Sequence, residues 1–184
     1  MMDKRAFRAD AKAKRDNIPE AARSTADRAI FDMLVSEKAF LQARSIFAYI
    51  SFGSEVSTTG MIEYAIGCGK TVAVPRCDIK KHEMTFFVIH GLRDLKKGAY
   101  GIYEPDEGCE RLDSADICLV PGVAFSSDMD RMGYGAGYYD RFLYGRDIIK
   151  VGLTYGELLF DEIPCEEYDI KMDMIICENR ILRR

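Results

Sequence analysis

Apolar residues along this chain fall into two patterns: short continuous runs, and longer stretches in which they recur every three or four positions. The continuous runs predict β-strands at 45–50, 71–75, 84–89, 117–121, 150–154 and 174–177. The recurring pattern predicts helices at 3–16, 20–37, 58–68 and 137–144. Strands that alternate with helices indicate an α/β fold, a single-domain layered structure with a mainly parallel sheet flanked by helices.

The predicted sheet also indicates where a ligand would bind. In parallel sheets, ligands bind beyond the carboxyl ends of the strands. We therefore expect the loops after 45–50, 71–75 and 117–121 to share one rim of the molecule. Either Ser57 or Thr58 is expected to cap the helix that follows the first of these loops.

Length and charge narrow the class of protein. The 184 residues, 48% of them hydrophobic, suffice for one domain with a buried core, predicted to span 1–184. The 30 acidic and 26 basic residues give a net charge of −4, so nucleic acid is not an expected partner. No apolar stretch is long enough to span a membrane, and the N-terminal segment lacks the apolar core of a secretory signal. We expect no membrane contact and a cytoplasmic location.

Cysteine and histidine usage argues against two further kinds of site. The 6 cysteines include no CxxC pair, and we interpret them as reduced, mostly buried thiols. His82 and His90 lack a matching pair of ligands, which disfavours zinc and a histidine-centred hydrolase triad.

The glycine-rich loop at 131–139 follows an apolar strand and runs into the last predicted helix. Gly133, Gly135 and Gly137 alternate with other residues, and glycine lets successive backbone N–H groups converge on an anion. The loop is not a Walker A motif, because no Gly-Lys-Ser/Thr follows, and Tyr138 stands where a dinucleotide fingerprint has its third glycine. By spacing alone, a phosphate cradle and an ordinary strand-to-helix turn are equally good interpretations.

Carboxylates near this loop are candidate metal ligands. Asp140 lies in the first turn of the helix, where it can hold Mg²⁺ beside a phosphate or complement the helix dipole. Asp169 and Asp173 flank a turn before the last strand, and one of them is a candidate second ligand. Exposed acids in a turn are the commoner explanation for such residues.

Cations and aromatic residues complete the set of candidates. The first helix presents cations at spacings of four, four and three residues, which either clamp a polyphosphate or form a solvated face; they are Lys4, Arg8, Lys12 and Arg15. Glu55, in the polar turn after the first strand, either binds a donor on a ligand or caps the next helix. Tyr134, Tyr138 and Tyr139 suit stacking on a flat heterocycle, and at least one is expected to be buried.

Two adjacent segments carry a family resemblance. Pro121 to Phe125, followed by Arg131 to Leu143, closely resembles the signature of the 5-formyltetrahydrofolate cyclo-ligase family. Further matching segments stand in the same order along the chain: 4–8, 23–24, 55–58, 69–70 with Pro75, 84–86 and 164–178. The resemblance covers nearly the whole chain, and its signature is specific because it joins an unusual loop to a preceding strand and a following Asp-Arg.

This resemblance implies ATP- and Mg²⁺-dependent conversion of 5-formyltetrahydrofolate to 5,10-methenyltetrahydrofolate, with release of ADP and phosphate. A formyl amide is a poor electrophile, and its oxygen is a poor leaving group until it is phosphorylated. N10 then attacks the carbon and closes the ring. Catalysis becomes mainly positioning and charge neutralisation, for which no histidine is needed. The implied partners are a reduced folate and ATP, and a monomer is expected.

The resemblance also implies roles by position. The expected ATP-binding residues are Lys4, Arg5, Ala6, Phe7, Arg8, Arg131, Met132, Gly133, Tyr134, Gly135, Ala136, Gly137, Tyr138 and Tyr139. The expected substrate-binding residues are Ile50, Glu55, Tyr134, Gly135, Ala136, Gly137 and Tyr138. Arg131, Tyr138 and Glu55 are expected to be catalytic, and Asp140 and Asp169 to hold the metal.

Three residues depart from the family's pattern. Ser126, Met129 and Ala136 stand where the family commonly has Asp, Gly and Gly. Ala136 requires a backbone φ that an alanine tolerates. The changes at 126–129 leave the conformation of that loop, and the turnover rate, as open questions.

Two other functions remain open from the residues. A nucleotide- or folate-binding protein without turnover would keep the glycine loop but need not keep both Asp140 and Asp169, so their presence favours the enzyme. An isomerase or transferase on a similar scaffold would bind a phosphorylated substrate without consuming ATP.

Overall fold

The computed structural model describes residues 3–98 and 101–184. The helices of this part of the chain are α1 (Lys4–Asp16), α2 (Glu20–Ser36), α3 (Lys38–Gln42), α4 (Thr59–Gly67) and α5 (Tyr138–Leu143). Its strands are β1 (Ser45–Phe47), β2 (Thr71–Asp78), β3 (Glu83–Ile89), β4 (Leu95–Lys97), β5 (Tyr103–Pro105), β6 (Arg111–Leu112), β7 (Ile117–Val120), β8 (Ala124–Ser126), β9 (Arg131–Met132), β10 (Ile149–Leu153), β11 (Leu159–Phe160), β12 (Met174–Cys177) and β13 (Arg180–Arg183). Short 3₁₀ turns lie at Leu92–Asp94 and Gly156–Leu158.

An eight-stranded sheet organises the molecule, in the order β13-β12-β10-β7-β1-β2-β3-β6. Its five central strands, from β12 to β2, are parallel, and β13, β3 and β6 pair antiparallel at the two edges. Every residue of β7 and β12 is buried, as expected for parallel strands that are covered on both faces. These findings confirm the α/β fold with a mainly parallel sheet.

Hydrophobic clusters cover the two faces of this sheet. Successive strand residues point to opposite faces, so Ile46 belongs to one cluster and Phe47 to the other. On the first face α2 buries Ala26, Ile30 and Leu34, which recur at a spacing of four. On the second face α5 contributes Leu143 and Phe142, and the ring centroids of Phe47 and Phe86 stack 4.1 Å apart.

The predicted first strand is shorter than expected, because the chain leaves the sheet after Phe47. The Ala48 N–H still donates to the Ala73 carbonyl at 3.0 Å, but the Tyr49 carbonyl accepts from Thr58 Oγ1 at 2.6 Å. Thr58 stands at the start of α4, yet its side chain does not cap the helix. The proposed capping role is therefore wrong for this side chain, which holds the turn after β1 instead.

All 6 cysteines are free, as expected, but they are less buried than predicted. Cys118 and Cys177 are buried and Cys77 and Cys109 partly so, whereas Cys68 and Cys165 are exposed. Within the described residues, no helix has both the length and the apolar character needed to cross a membrane.

Candidate active site

A cleft of about 980 Å³ opens beyond the carboxyl ends of β1, β2 and β7. Its walls include the loop from Tyr49 to Glu55, Cys77 and Ile79 at the end of β2, and Pro121 after β7. The three loops therefore share one rim, as the parallel order predicts. The opposite wall is α1 together with the glycine loop, and the volume lies at the upper end for small-molecule sites.

The glycine loop connects β9 to α5, and its backbone requires glycine at particular positions. Gly135 and Gly137 have φ values of +100° and +67°, which side chains rarely adopt. A Cβ on Gly133 would lie 2.8 Å from Arg131 Nη1. Ala136 does not have a positive φ, so the methyl group at this departure from the family pattern is tolerated.

Arg131 is buried at the base of this loop and holds it to the sheet. Its Nη1 donates to the Pro121 carbonyl at 3.0 Å, and its Nη2 lies 2.9 Å from both carboxylate oxygens of Asp140. Its Nε is buried and has no hydrogen-bond partner among the described residues. A buried donor without a protein partner is rare, and the loop is held through the terminal nitrogens Nη1 and Nη2.

Asp140 and Asp169, the expected metal ligands, both line the cleft, and each is paired with a cation. Asp140 also accepts from the Ile170 N–H at 3.3 Å, which joins α5 to the turn that carries Asp169. Asp169 accepts from Lys4 Nζ at 2.6 Å. Asp173, the alternative ligand, does not line the cleft, because it accepts from the Lys150 N–H at 2.8 Å beside the sheet.

The donor set of the cleft suits Mg²⁺ held together with a nucleotide. Mg²⁺ is usually bound by one or two carboxylates and by substrate phosphates, with waters completing its shell. Asp140 and Asp169 provide such carboxylates on one wall. Among residues 3–98 and 101–184, no cluster of three Asp, Glu, His or Cys side chains forms an all-protein metal site.

The cationic face of α1 lines the cleft at all four predicted positions, Lys4, Arg8, Lys12 and Arg15. Lys4 Nζ contacts Glu166 at 3.0 Å as well as Asp169. Arg8 Nε donates to the Gly133 carbonyl at 2.8 Å, and so ties the helix to the glycine loop. The face is therefore a wall of the site and not merely a solvated surface.

Several expected ATP-binding residues lie outside the cleft wall. Arg5 and Ala6 are exposed on the other side of α1, and the Phe7 ring packs against Phe160 with centroids 5.1 Å apart. Met132 is fully buried in β9. Their assignment to nucleotide binding is a prediction that this geometry does not support for the side chains.

Glu55 and Tyr134 form a hydrogen-bonded pair in the cleft. The Tyr134 hydroxyl donates to Glu55 Oε1, and the Phe52 N–H donates to Oε2 at 2.8 Å. Burial raises the pKa of the Glu55 carboxyl, although its hydrogen bonds with Tyr134 and Phe52 act in the opposite direction. Burial is also the main cause of the raised pKa of Tyr134. Glu55 therefore faces the cleft and does not cap α4.

The remaining expected contacts also lie along the cleft. Ile50 and Tyr138 line it, and the Arg141 guanidinium lies 5.4 Å from the centroid of the Tyr138 ring. The expectation that at least one of the three tyrosines is buried is wrong, because Tyr134 is exposed and Tyr138 and Tyr139 are half-buried at the cleft. The Tyr139 hydroxyl alone is buried, and it lacks a hydrogen-bond partner in the described part of the chain.

The loop at 126–129 contains a residue with a left-handed backbone conformation. Met129 is buried and has a φ of +69°, in the left-handed region that favours glycine. Its N–H donates to the Ser126 carbonyl at 3.0 Å, and the Asp130 N–H donates to Ser126 Oγ at 3.1 Å. The loop thus keeps a tight turn despite the departures at positions 126 and 129.

The sequence did not predict the hydrogen bond between Arg15 and Ser54. It also did not predict that Ile102 and Tyr103 line the cleft. The fourth place of Arg15 in the cationic stripe is the only signal for it in the sequence. Ile102 and Tyr103 come from the segment around β5, for which the apolar pattern predicts no element.

Comparison with known proteins identifies the family of this chain. Residues 1–178 match the 5-formyltetrahydrofolate cyclo-ligase family. The chain is 34% identical over 160 residues to the 5-formyltetrahydrofolate cyclo-ligase of Saccharomyces cerevisiae, covering 73% of this chain and 76% of the relative. It is 32% identical over 138 residues to that of Haemophilus influenzae, covering 71% and 74%.

A solved structure shows the same fold. The NMR structure of Aquifex aeolicus 5,10-methenyltetrahydrofolate synthetase superposes with a TM-score of 0.88 at 31% identity, covering 99% of this chain and 93% of that one. Sequence, fold and cleft lead to one conclusion. The chain belongs to the 5-formyltetrahydrofolate cyclo-ligase family of enzymes.

Proposed function

We propose that this chain uses ATP and Mg²⁺ to convert 5-formyltetrahydrofolate to 5,10-methenyltetrahydrofolate, releasing ADP and phosphate. One observation carries the proposal. A single cleft brings together the cations of α1, the glycine loop with the Arg131–Asp140 ion pair, and the Glu55–Tyr134 pair. Family membership supports the identity of the substrate and product.

The phosphates of ATP are assigned to the end of the cleft between α1 and the glycine loop. Lys4 and Arg8 supply positive charge there, and Arg8 is already fixed to the Gly133 carbonyl. Tyr134, Gly135 and Ala136 of the loop are exposed and line the cleft. Charge neutralisation and positioning are what phosphoryl transfer requires of a protein.

Asp140 and Asp169 are the residues assigned to hold Mg²⁺. When bound, the ion would neutralise phosphate oxygens and so favour transfer of the γ-phosphoryl group. Arg131 holds Asp140 in place on the cleft wall through its Nη2, while Lys4 does the same for Asp169.

The reaction then proceeds in two steps. The formyl oxygen attacks the γ-phosphorus, its bond to phosphorus forms, and ADP leaves. N10 next attacks the formyl carbon and loses its proton, and the carbon–oxygen bond breaks with its electron pair leaving on phosphate. The product is the five-membered ring with its positive charge shared by N5 and N10. The transferred phosphoryl group makes the oxygen expellable.

Glu55 is assigned to accept the N10 proton. Burial raises the pKa of Glu55, which brings a carboxylate closer to the basicity that suits proton transfer near neutral pH. The Tyr134 hydroxyl donates to Oε1 and so orients the carboxylate. Ile50 and Tyr138 lie on the same walls and are assigned to contact the folate.

The test mixes purified protein with 5-formyltetrahydrofolate, ATP and Mg²⁺ and follows the absorbance of the conjugated methenyl product. We expect product only when ATP and Mg²⁺ are both present, and loss of most activity in Glu55→Gln. Asp32 is an exposed acid on α2, and Asp32→Asn is therefore the control for the loss of a carboxylate. A folded protein that binds ATP but forms no product would overturn the proposal in favour of a binding protein.

The cytoplasmic location and the monomeric state predicted by the sequence are also proposed. Light scattering of the purified protein tests the second, and a dimer mass would contradict it.

A further inference from the structure

Arg15 is one of the two cations of the α1 stripe, with Lys12, to which the proposed reaction gives no role. Only 4% of its surface is exposed, and it is the one buried member of the four. It lies 11 positions after Lys4, so the two are roughly 16 Å apart along the helix axis. Arg15 contacts Ser54, the residue before Glu55, and so lies at the Glu55 end of the cleft. A buried guanidinium is costly unless its donors are satisfied.

The guanidinium of Arg15 contacts three separate loops of the cleft rim. Its Nε donates to Ser54 Oγ at 3.0 Å, and its Nη1 donates to the Gly122 carbonyl at 3.2 Å. Its Cζ lies 5.6 Å from the centroid of the Tyr134 ring. Ser54 directly precedes Glu55, and Tyr134 is the hydrogen-bond partner of Glu55. Arg15 thus fixes both members of the Glu55–Tyr134 pair.

Arg15 is the positively charged side chain that acts on the Glu55 carboxyl. In the described part of the chain, the other groups near the Glu55 carboxyl are the neutral hydroxyls of Tyr49, Tyr134 and Tyr139. The Tyr155 hydroxyl donates to the Glu55 backbone carbonyl at 3.2 Å. Asp16 and Lys12 lie further out at the rim, paired with each other at 2.7 Å, and the Ser54 hydroxyl donates to Asp16. Burial raises the pKa of Glu55, and the charge of Arg15 opposes that increase.

We infer that Arg15 is a positioning residue for ring closure, because it orients the Glu55–Tyr134 pair and keeps Glu55 in the carboxylate form that can accept a proton. The part of this inference that concerns ring closure rests on the proposed function. The part that concerns the orientation and charge of Glu55 rests on the contacts of Arg15 alone.

Two substitutions separate the charge of Arg15 from its geometry. Arg15→Lys keeps a positive charge but cannot bridge Ser54 and Gly122 as a planar fork does. Arg15→Gln removes the charge. Ser54→Ala removes one hydrogen-bond acceptor of the guanidinium and leaves Arg15 itself in place. Arg28 is an exposed arginine on α2, and Arg28→Gln is the matched control. Circular dichroism and thermal melts establish which variants are folded.

The first readout does not depend on the reaction. The Glu55 carboxyl is titrated by carbon NMR in protein labelled at glutamate, with Glu55→Gln to assign its signal. We expect its pKa to stay near the wild-type value in Arg15→Lys and Arg28→Gln, and to rise by about one unit in Arg15→Gln. An unchanged Glu55 pKa in folded Arg15→Gln would overturn the charge role. If Arg15→Gln does not fold, a Glu55 pKa in Arg15→Lys that differs from wild type would overturn it.

The second readout is the kinetics of product formation. We expect kcat to fall about tenfold in Arg15→Lys and a few-fold in Ser54→Ala, with KM for ATP unchanged. In Arg15→Gln the acid limb of the kcat profile should move to higher pH. Wild-type kcat in Arg15→Lys, or an equal rise of KM for both substrates, would overturn the positioning role. An inactive wild-type enzyme would contradict the proposed function instead, and the NMR titration would still test the charge role.

Discussion

Arg131 Nη2 lies 2.9 Å from each carboxylate oxygen of Asp140, so the buried arginine and the proposed metal ligand form one unit. The pair spans the glycine loop, because Arg131 begins it and Asp140 follows it. Through its Nη1 the same arginine is fixed to the Pro121 carbonyl at the end of β7. The loop is thus held at both ends against the carboxyl edge of the sheet.

Asp140→Asn should abolish most Mg²⁺-dependent turnover. It should also lower the free energy of unfolding by about 1–3 kcal/mol, because the buried guanidinium keeps a hydrogen-bond acceptor but loses its charged partner. A nucleotide titration with and without Mg²⁺ separates the two effects, since the variant should lose the gain in affinity that Mg²⁺ gives the wild type. Asp32→Asn is the control. Wild-type rates in Asp140→Asn would contradict the metal assignment.

Arg8→Ala should weaken ATP binding about tenfold or more while leaving the protein folded. It removes a positive charge at the phosphate end and the hydrogen bond to the Gly133 carbonyl. Isothermal titration with a non-hydrolysable ATP analogue measures the effect, and Arg28→Ala is the matched control. Equal affinity in Arg8→Ala and wild type would remove α1 from the nucleotide site.

Met129→Gly should be as stable as Met129→Ala, or more stable by about 1 kcal/mol, although it removes more side chain. Both variants lose the buried methionine, but only glycine relieves the left-handed backbone at φ +69°. Urea unfolding of the two variants and wild type gives the comparison. An alanine variant clearly more stable than the glycine variant would show that the backbone is not strained here.

The contribution of Asp27 to the free energy of unfolding should depend on pH. Burial raises its pKa above the ordinary value of 3.8, although hydrogen bonds from the Ser57 N–H and the Tyr155 hydroxyl act in the opposite direction. Protonated Asp27 therefore stabilises the fold below pH 3.8, and this contribution is lost as pH rises through the raised pKa.

Asp27→Asn keeps the acceptor oxygen and cannot ionise. The stability of wild type relative to this variant should fall as pH rises above 3.8 and passes through the raised pKa of Asp27. Thermal melts across that range measure it, and Asp32→Asn accounts for the general effect of removing an acid from α2. If the stability of wild type relative to Asp27→Asn instead increased with pH, the pKa of Asp27 would not be raised by burial.

The strongly periodic elements of this fold could be predicted from the sequence. The stripe of Ala26, Ile30 and Leu34 recurs every four residues, and the all-apolar run at 174–177 has the length of a buried strand. The short strands β8, β9 and β11 could not be predicted, because two or three residues carry no periodicity. Their pairing depends on tertiary contacts such as that between Phe160 and Ser126.

The site was predictable only as far as residue types and order along the chain allowed. Strand order placed Glu55 and Pro121 on one rim, and the α1 spacing placed four cations on one face. Neither showed that Arg15 is buried against Ser54 while Lys4 pairs with Asp169, since these partners lie 39 and 165 residues away along the chain. Such differences between cations on one face of a helix arise from packing across the cleft.

The most direct test of the central claim follows the formyl oxygen itself. 5-Formyltetrahydrofolate labelled with ¹⁸O in the formyl group is converted by the wild-type protein with ATP and Mg²⁺, and the released phosphate is examined by mass spectrometry. We predict one labelled oxygen in the phosphate and one ADP for each methenyl product formed. Unlabelled phosphate, or product without ADP, would contradict phosphorylation of the formyl oxygen and with it the account of this cleft.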